Sequence, residues 1–159
     1  MNISNICFIG DSHTGKSHLI HTYVYGYKPP YVSQMTIGME FHKKIIENNL
    51  LYIWDYSLSN VLDKYLIDYL KKINIFFIVI DCENWESIQN IHKYINLIGN
   101  KSYYIIANKF DKINNMLYKN RLLEHLENNF NNKYAFTTSY NKDELDTTIN
   151  ELLKSESLI

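Results

Sequence analysis

A chain of 159 residues with 16 Lys plus Arg against 17 Asp plus Glu has the length of one domain and a formal charge of −1. That balance excludes the basic footprint of a general nucleic-acid binder, and 46% hydrophobic with 21% charged residues excludes global disorder. Two cysteines, Cys7 and Cys82, both inside apolar runs, exclude a disulfide framework and point to a reducing compartment. The longest apolar runs, around Ile75–Ile80 and Tyr103–Ala107, are too short to cross a bilayer. Met1-Asn2-Ile3-Ser4-Asn5 lacks the charged and apolar stretches of a signal peptide. The expectation is a cytoplasmic protein of a single domain spanning residues 1–159.

Ile3–Ile9 is predicted as a strand, being short, Ile/Phe-rich and closed by Gly10. After a turn over Gly10–Ser17, Leu19, Ile20, Tyr23 and Val24 recur at helical spacing. Ile37–Ile46 and Leu50–Trp54 flank Glu47-Asn48-Asn49 as a hairpin. Val61, Leu62, Tyr65, Leu66, Tyr69 and Leu70 form a helical stripe, and Ile75–Ile80 is a continuous apolar run suited to a strand covered on both faces. Ile88, Ile91, Ile95 and Ile98 predict a helix with Asn84 as N-cap. Strand Ser102–Ala107, helix Leu117–Phe130, strand Tyr134–Thr137 and helix Asp143–Lys154 complete the order. Alternating strands and helices predict an α/β fold with a mostly parallel sheet covered on both faces.

Gly10-Asp11-Ser12-His13-Thr14-Gly15-Lys16-Ser17 fits G-x-x-x-x-G-K-[ST] between a strand and a helix, the context that gives this pattern its meaning. Backbone N–H groups in such a loop point at phosphate oxygens, and the helix N-terminus adds its dipole. The expected phosphate contacts run through Ser12, His13, Thr14, Gly15, Lys16, Ser17 and His18. Lys16 would bridge β- and γ-phosphate oxygens, and the Ser17 hydroxyl would ligate Mg²⁺. Asn108-Lys109-Phe110-Asp111 follows a buried strand, on the sheet edge where a ligand site belongs. An Asp carboxylate accepts from N1–H and the exocyclic amine of guanine, whereas adenine has an acceptor at N1 and no such amine. Asp111 would therefore select guanine, Asn108 would tie loops together and the Lys109 stem would cover the ring.

With these motifs the chain resembles the Ras-like small GTPases, and within them the Rab branch, over essentially its whole length. Thr36-Ile37-Gly38-Met39-Glu40-Phe41 is similar to the Rab switch I segment, and Trp54-Asp55 to the start of switch II. Asp81–Ile88, with Trp85-Glu86-Ser87-Ile88, resembles the family's stretch after its fourth strand. The resemblance implies a P-loop G domain with a six-stranded sheet, binding GTP or GDP with Mg²⁺. It places Thr36 on the metal and γ-phosphate, Asp55 on the metal through water, and Ser139 and Tyr140 in the last base-contacting loop. Tyr27 becomes a candidate aromatic against the base edge. Phe41, Trp54 and Tyr69 fall where Rabs carry an aromatic triad that contacts effectors, although core packing explains such residues equally well. A monomer acting in vesicle traffic is implied.

Departures from the family pattern carry separate expectations. Where the family has D-x-x-G-Q, this chain has Asp55-Tyr56-Ser57-Leu58-Ser59. Leu58 lacks the freedom in φ of the family glycine, and Ser59 is too short to orient water as a glutamine amide does. Slow intrinsic GTP hydrolysis is expected, the alternative being a pseudo-GTPase module held in one nucleotide state. His13 stands where the family usually has glycine; it is a candidate substitute for the missing glutamine, and a positive φ there would strain it. No cysteine lies near Ser157-Leu158-Ile159, so no lipid anchor is expected on this stretch. Either a tail follows in the complete protein, or membranes are reached through partners. The six histidines show no spacing typical of structural zinc; His18 and His21, three apart on the first helix, could in principle seat a metal, but an exposed face and a satisfied core edge is the favoured reading.

Overall fold

The apolar runs become the strands, and their alternation sends side chains to two cores. The computed structural model describes residues 2–27, 38–57, 64–138 and 141–159, with backbone alone for 64–67. In chain order these form β1 (Asn2–Ile9), α1 (Lys16–Tyr25), β2 (Met39–Ile46), β3 (Asn49–Tyr56), α2 (Lys64–Lys72), β4 (Ile75–Asp81), α3 (Trp85–Gln89), α4 (Ile91–Ile98), β5 (Ser102–Asn108), α5 (Met116–Phe130), β6 (Tyr134–Thr137) and α6 (Lys142–Ser155).

One six-stranded sheet has the order β2-β3-β1-β4-β5-β6. Strand β2 pairs antiparallel with β3, and the other pairings are parallel. Because strand side chains alternate, Cys7, Ile9, Phe76, Ile78, Ile80, Ile105 and Ala107 face one core. There they meet Ile88, Ile91, Tyr94 and Ile98 of α3 and α4, and Leu122, Leu126 and Phe130 of α5. Ile6, Phe8, Ile75, Phe77, Val79 and Ile106 face the other, against α1 and α6 through Leu19, Ile20, Tyr23, Leu145, Ile149 and Leu153. Burial on both faces explains why β4 reads as an uninterrupted apolar run. No helix among the described residues is long and apolar enough to cross a membrane.

The expected elements appear with three adjustments. The hairpin turn is two residues, since Asn49 already pairs with Ile46 and Glu47 takes the positive φ of 52°. The helix expected through Ile98 is split at Asn90 into α3 and α4, and Asn84 caps the first piece by accepting from Glu86 N at 3.0 Å. Strand β2 begins at Met39, and Ile37 lies outside the described residues, as do Val61 and Leu62 of the helical stripe.

Candidate functional site

The chain leaves β1 at the middle of the sheet and turns at Gly10. A Cβ there would lie 2.2 Å from the Val79 carbonyl oxygen, so β1 and β4 approach closely enough to require glycine. Gly15, at φ 94°, stands at the N-cap of α1, and its carbonyl accepts from Leu19 N at 2.9 Å. Lys16 folds back over the loop, donating from Nζ to the Gly10 carbonyl at 2.9 Å and the Asp11 carbonyl at 2.7 Å. Burial lowers the Lys16 pKa, and the Asp55 and Asp11 carboxylates act in the opposite direction. His13 adopts φ 64°, the left-handed region foreseen for a residue at a glycine position.

Asp55 is paired with Phe8 in register and is fully buried, which raises its pKa. The Ser17 hydroxyl donates to its Oδ2, while Oδ1 is buried without a hydrogen-bond partner among the described residues. A hydroxyl and a carboxylate with an unused buried oxygen make an oxygen donor set that fits Mg²⁺.

The base-side loop is knitted to the phosphate loop. Asn108, fully buried at the end of β5, donates from Nδ2 to the Thr14 carbonyl at 2.9 Å. Lys109, at φ 63°, donates from Nζ to the His13 carbonyl at 2.8 Å and to Asp81 Oδ2 at 2.5 Å. Asp81, Asn108 and Thr137 are register partners across β4, β5 and β6, so one sheet edge presents all three. Asp111 follows in a 3₁₀ turn over Phe110–Lys112 and is exposed.

The structure thus brings together the loop from Ser12 through Ser17, Asp55, Asn108 and Lys109, with Asp111 on the adjoining turn. His18 continues the first turn of α1. Thr36, Leu58, Ser59, Ser139 and Tyr140 lie outside the described residues. Tyr27 is exposed, with its ring 6.0 Å from that of Tyr25. Phe41 and Trp54 have ring centroids 4.6 Å apart, and Trp54 and Tyr69 5.8 Å, so the aromatic triad is contiguous. Phe41 and Tyr69 are exposed, which a purely internal packing role does not require.

Sequence reasoning missed a support beneath the phosphate loop. Asp11 accepts from Tyr94 Oη at 2.6 Å and from Asn90 Nδ2 at 2.9 Å, so the break between α3 and α4 holds the loop's second residue. The signal was present as a polar residue beside an Ile-rich stripe, but its partner lies 79 positions away.

The Ras family model matches residues 5–157. Two curated relatives from Dictyostelium discoideum are the Ras-related proteins RabT1 and RabT2. RabT1 is 34% identical over 69% of this chain and 54% of its own length. RabT2 is 29% identical over 70% of this chain and 56% of its own length. The chain therefore spans about half the length of the curated relatives it matches. With a phosphate loop after a central strand, a buried Ser–Asp pair beside it and an Asn-Lys-x-Asp loop bound to its backbone, this chain belongs to the Ras family of small GTPases and is Rab-like within it.

Proposed function

We propose that residues 1–159 form a single G domain that binds GTP and GDP with Mg²⁺ and works as a nucleotide-dependent switch. The observation that carries this reading is the joining of the two loops: Asn108 and Lys109 both donate to the phosphate-loop backbone, so base selection and phosphate binding share one rigid edge. Family membership supports guanine-nucleotide binding and GTP hydrolysis in general. Ser17, Thr36 and Asp55 would hold Mg²⁺, which neutralises phosphate charge when bound. Lys16 lies beside the loop carbonyls, from where its ammonium can reach β- and γ-phosphate oxygens, and Asp111 selects guanine.

The test is the affinity for fluorescent GDP against ADP, in the wild type and in Asp111→Asn. The wild type should prefer GDP strongly. Asp111→Asn replaces two acceptors by an acceptor and a donor, so GDP affinity should drop about 100-fold, the scale of two charge-assisted hydrogen bonds. Equal affinity of the wild type for both nucleotides would overturn the reading.

Intrinsic hydrolysis is slow in this proposal, because Leu58 and Ser59 replace the glycine and glutamine of switch II. Single-turnover hydrolysis should accelerate in Leu58→Gly/Ser59→Gln. Brisk turnover by the wild type would instead assign water positioning to another group, with His13 the first to replace. If neither protein turns over GTP, the second reading stands, that of a binding module held in one nucleotide state. Phe41, Trp54 and Tyr69 form the proposed effector surface, supported by their contiguity and exposure. In this proposal the protein is a cytoplasmic monomer that acts in vesicle traffic, a reading in keeping with its Rab-like sequence.

A further inference from the structure

Helix α1 and strand β2 meet over a cluster that the nucleotide site does not use. Glu40 and His42, two apart on β2, share a strand face, and His21 approaches from α1. One donor atom from each of the three lies within 4.8 Å of the others. His42 Nε2 is 3.9 Å from Glu40 Oε2. The His21 and His42 rings have centroids 5.3 Å apart.

Two features separate this cluster from an ordinary polar seam. First, His21 Nδ1 and His42 Nε2 are both buried and have no hydrogen-bond partner among the described residues, and His42 is 8% exposed. A buried imidazole nitrogen normally finds a partner, so two on neighbouring rings that the described residues leave without one mark a place for a further group. Second, the remaining nitrogen of His42 is engaged: Nδ1 lies 3.1 Å from the Tyr25 hydroxyl. With Nε2 free as a lone-pair donor, Nδ1–H donates to that hydroxyl, the arrangement that fixes the tautomer of a metal-bound histidine.

We propose that His21, Glu40 and His42 form a binding site for a borderline transition-metal ion of the Zn²⁺ type, separate from the Mg²⁺ position at Ser17 and Asp55. Two imidazoles and one carboxylate are a donor set for Zn²⁺, leaving a fourth position for water. Mg²⁺ favours oxygen ligands in octahedral geometry, so the two sites differ in chemistry as well as place. Bonds near 2.0 Å require donors about 3.3 Å apart, so the cluster must contract on binding. Glu40, exposed at the strand's start, is the ligand with room to move. The sequence conceals the site because its ligands come from two elements without the spacing of a zinc motif. Occupancy would pin Glu40, the second residue of β2, to α1. Glu40 pairs with Asp55 in register, so the ion would stiffen the strand pair that carries the Mg²⁺ ligand.

The test is titration of the whole chain with Co²⁺ in excess Mg²⁺, followed by displacement with Zn²⁺. One equivalent of Co²⁺ should bind with the intense visible bands of a tetrahedral site, and Zn²⁺ should abolish them. Glu40→Gln and His21→Ala should each weaken binding by more than about tenfold, and Tyr25→Phe by about tenfold through His42. Glu40 and Tyr25 are exposed enough for these changes to leave the fold intact, which circular dichroism would verify. Absence of a saturable band in the wild type overturns the proposal. So does a band unchanged in Glu40→Gln and His21→Ala, which would place the cobalt on other histidines such as His92 or His125.

Discussion

Two positions in the phosphate loop show how a single backbone requirement sets what a residue can be. At Gly10 the limit is space, because a methyl group would sit 2.2 Å from the Val79 carbonyl oxygen. Neither partner can yield, since Val79 lies within β4 and Gly10 directly follows β1, both central strands of the sheet. Gly10→Ala should therefore cost about 3 kcal/mol, the upper range for overpacking, read as a shift in the urea midpoint at unchanged m-value. At His13 the limit is torsional. A φ of 64° is tolerated better by His than by most side chains, yet it costs about 1 kcal/mol that glycine would not incur. His13→Gly gains that relief in the folded state and loses part of it to the greater freedom of the unfolded chain. Global stability should move little, but the loop would hold its binding shape more often. Nucleotide dissociation should slow about threefold to fivefold in stopped flow, the kinetic equivalent of up to 1 kcal/mol. An unchanged or faster release would mean that the His13 side chain supports the nucleotide by contact.

At the scale of elements, the break between α3 and α4 supports the loop. Asn90 and Tyr94 both donate to the Asp11 carboxylate, and hydrogen bonds to a charged group contribute about 1.5–3 kcal/mol each. Tyr94→Phe leaves the packed ring and removes only the hydroxyl, so the fold should persist while the loop loosens. Nucleotide release should quicken about tenfold while the preference for guanine over adenine stays unchanged, because Asp111 is on a different loop. Equal loss of guanine preference would show that the support acts on the whole site. This contact also shows where sequence reading ends. Strands β1, β4 and β5 were legible because burial on one or both faces leaves a pattern within a few residues. The Gly10–Ser17 and Asn108–Asp111 motifs were legible because each packs its chemistry into a short segment. The Asp11–Tyr94 bond and the His21–Glu40–His42 cluster were not, because each joins elements whose proximity only the folded sheet determines. The split at Asn90 was missed for a related reason: the isoleucine spacing continues across it, and a polar residue off such a stripe reads as an exposed position.

Across the whole molecule, the strand order places β1 at the point where the chain turns from one half of the sheet to the other. The C-terminal ends of β1, β3 and β5 consequently share one edge, where open α/β sheets bind ligands. The face away from the α3–α5 layer is fastened by charge. Lys44 of β2 donates to Asp146 of α6 at 2.8 Å and to the Tyr23 carbonyl of α1 at 2.5 Å, and its ammonium lies 3.6 Å from the Tyr23 ring centroid. Lys142 donates to the other Asp146 oxygen at 2.5 Å. One carboxylate thus joins the last helix to the edge hairpin across the first helix. Burial acts to raise the Asp146 pKa, but hydrogen bonds and charges from Lys142 and Lys44 outweigh it and hold the group below its ordinary value. A carboxyl depressed in the folded state binds fewer protons there than in the unfolded chain. Its contribution to stability is present above the unfolded value of 3.8 and disappears as pH falls through the folded one. Asp146→Asn should destabilise the protein by about 1–2 kcal/mol at pH 7, because it leaves two lysines facing each other without their shared counter-charge. The penalty should shrink as thermal melts are taken down through pH 3.8 and below, where wild-type Asp146 itself becomes neutral. A difference between wild type and variant that stays constant across that range would place the effect in packing and assign no stabilising role to the charge.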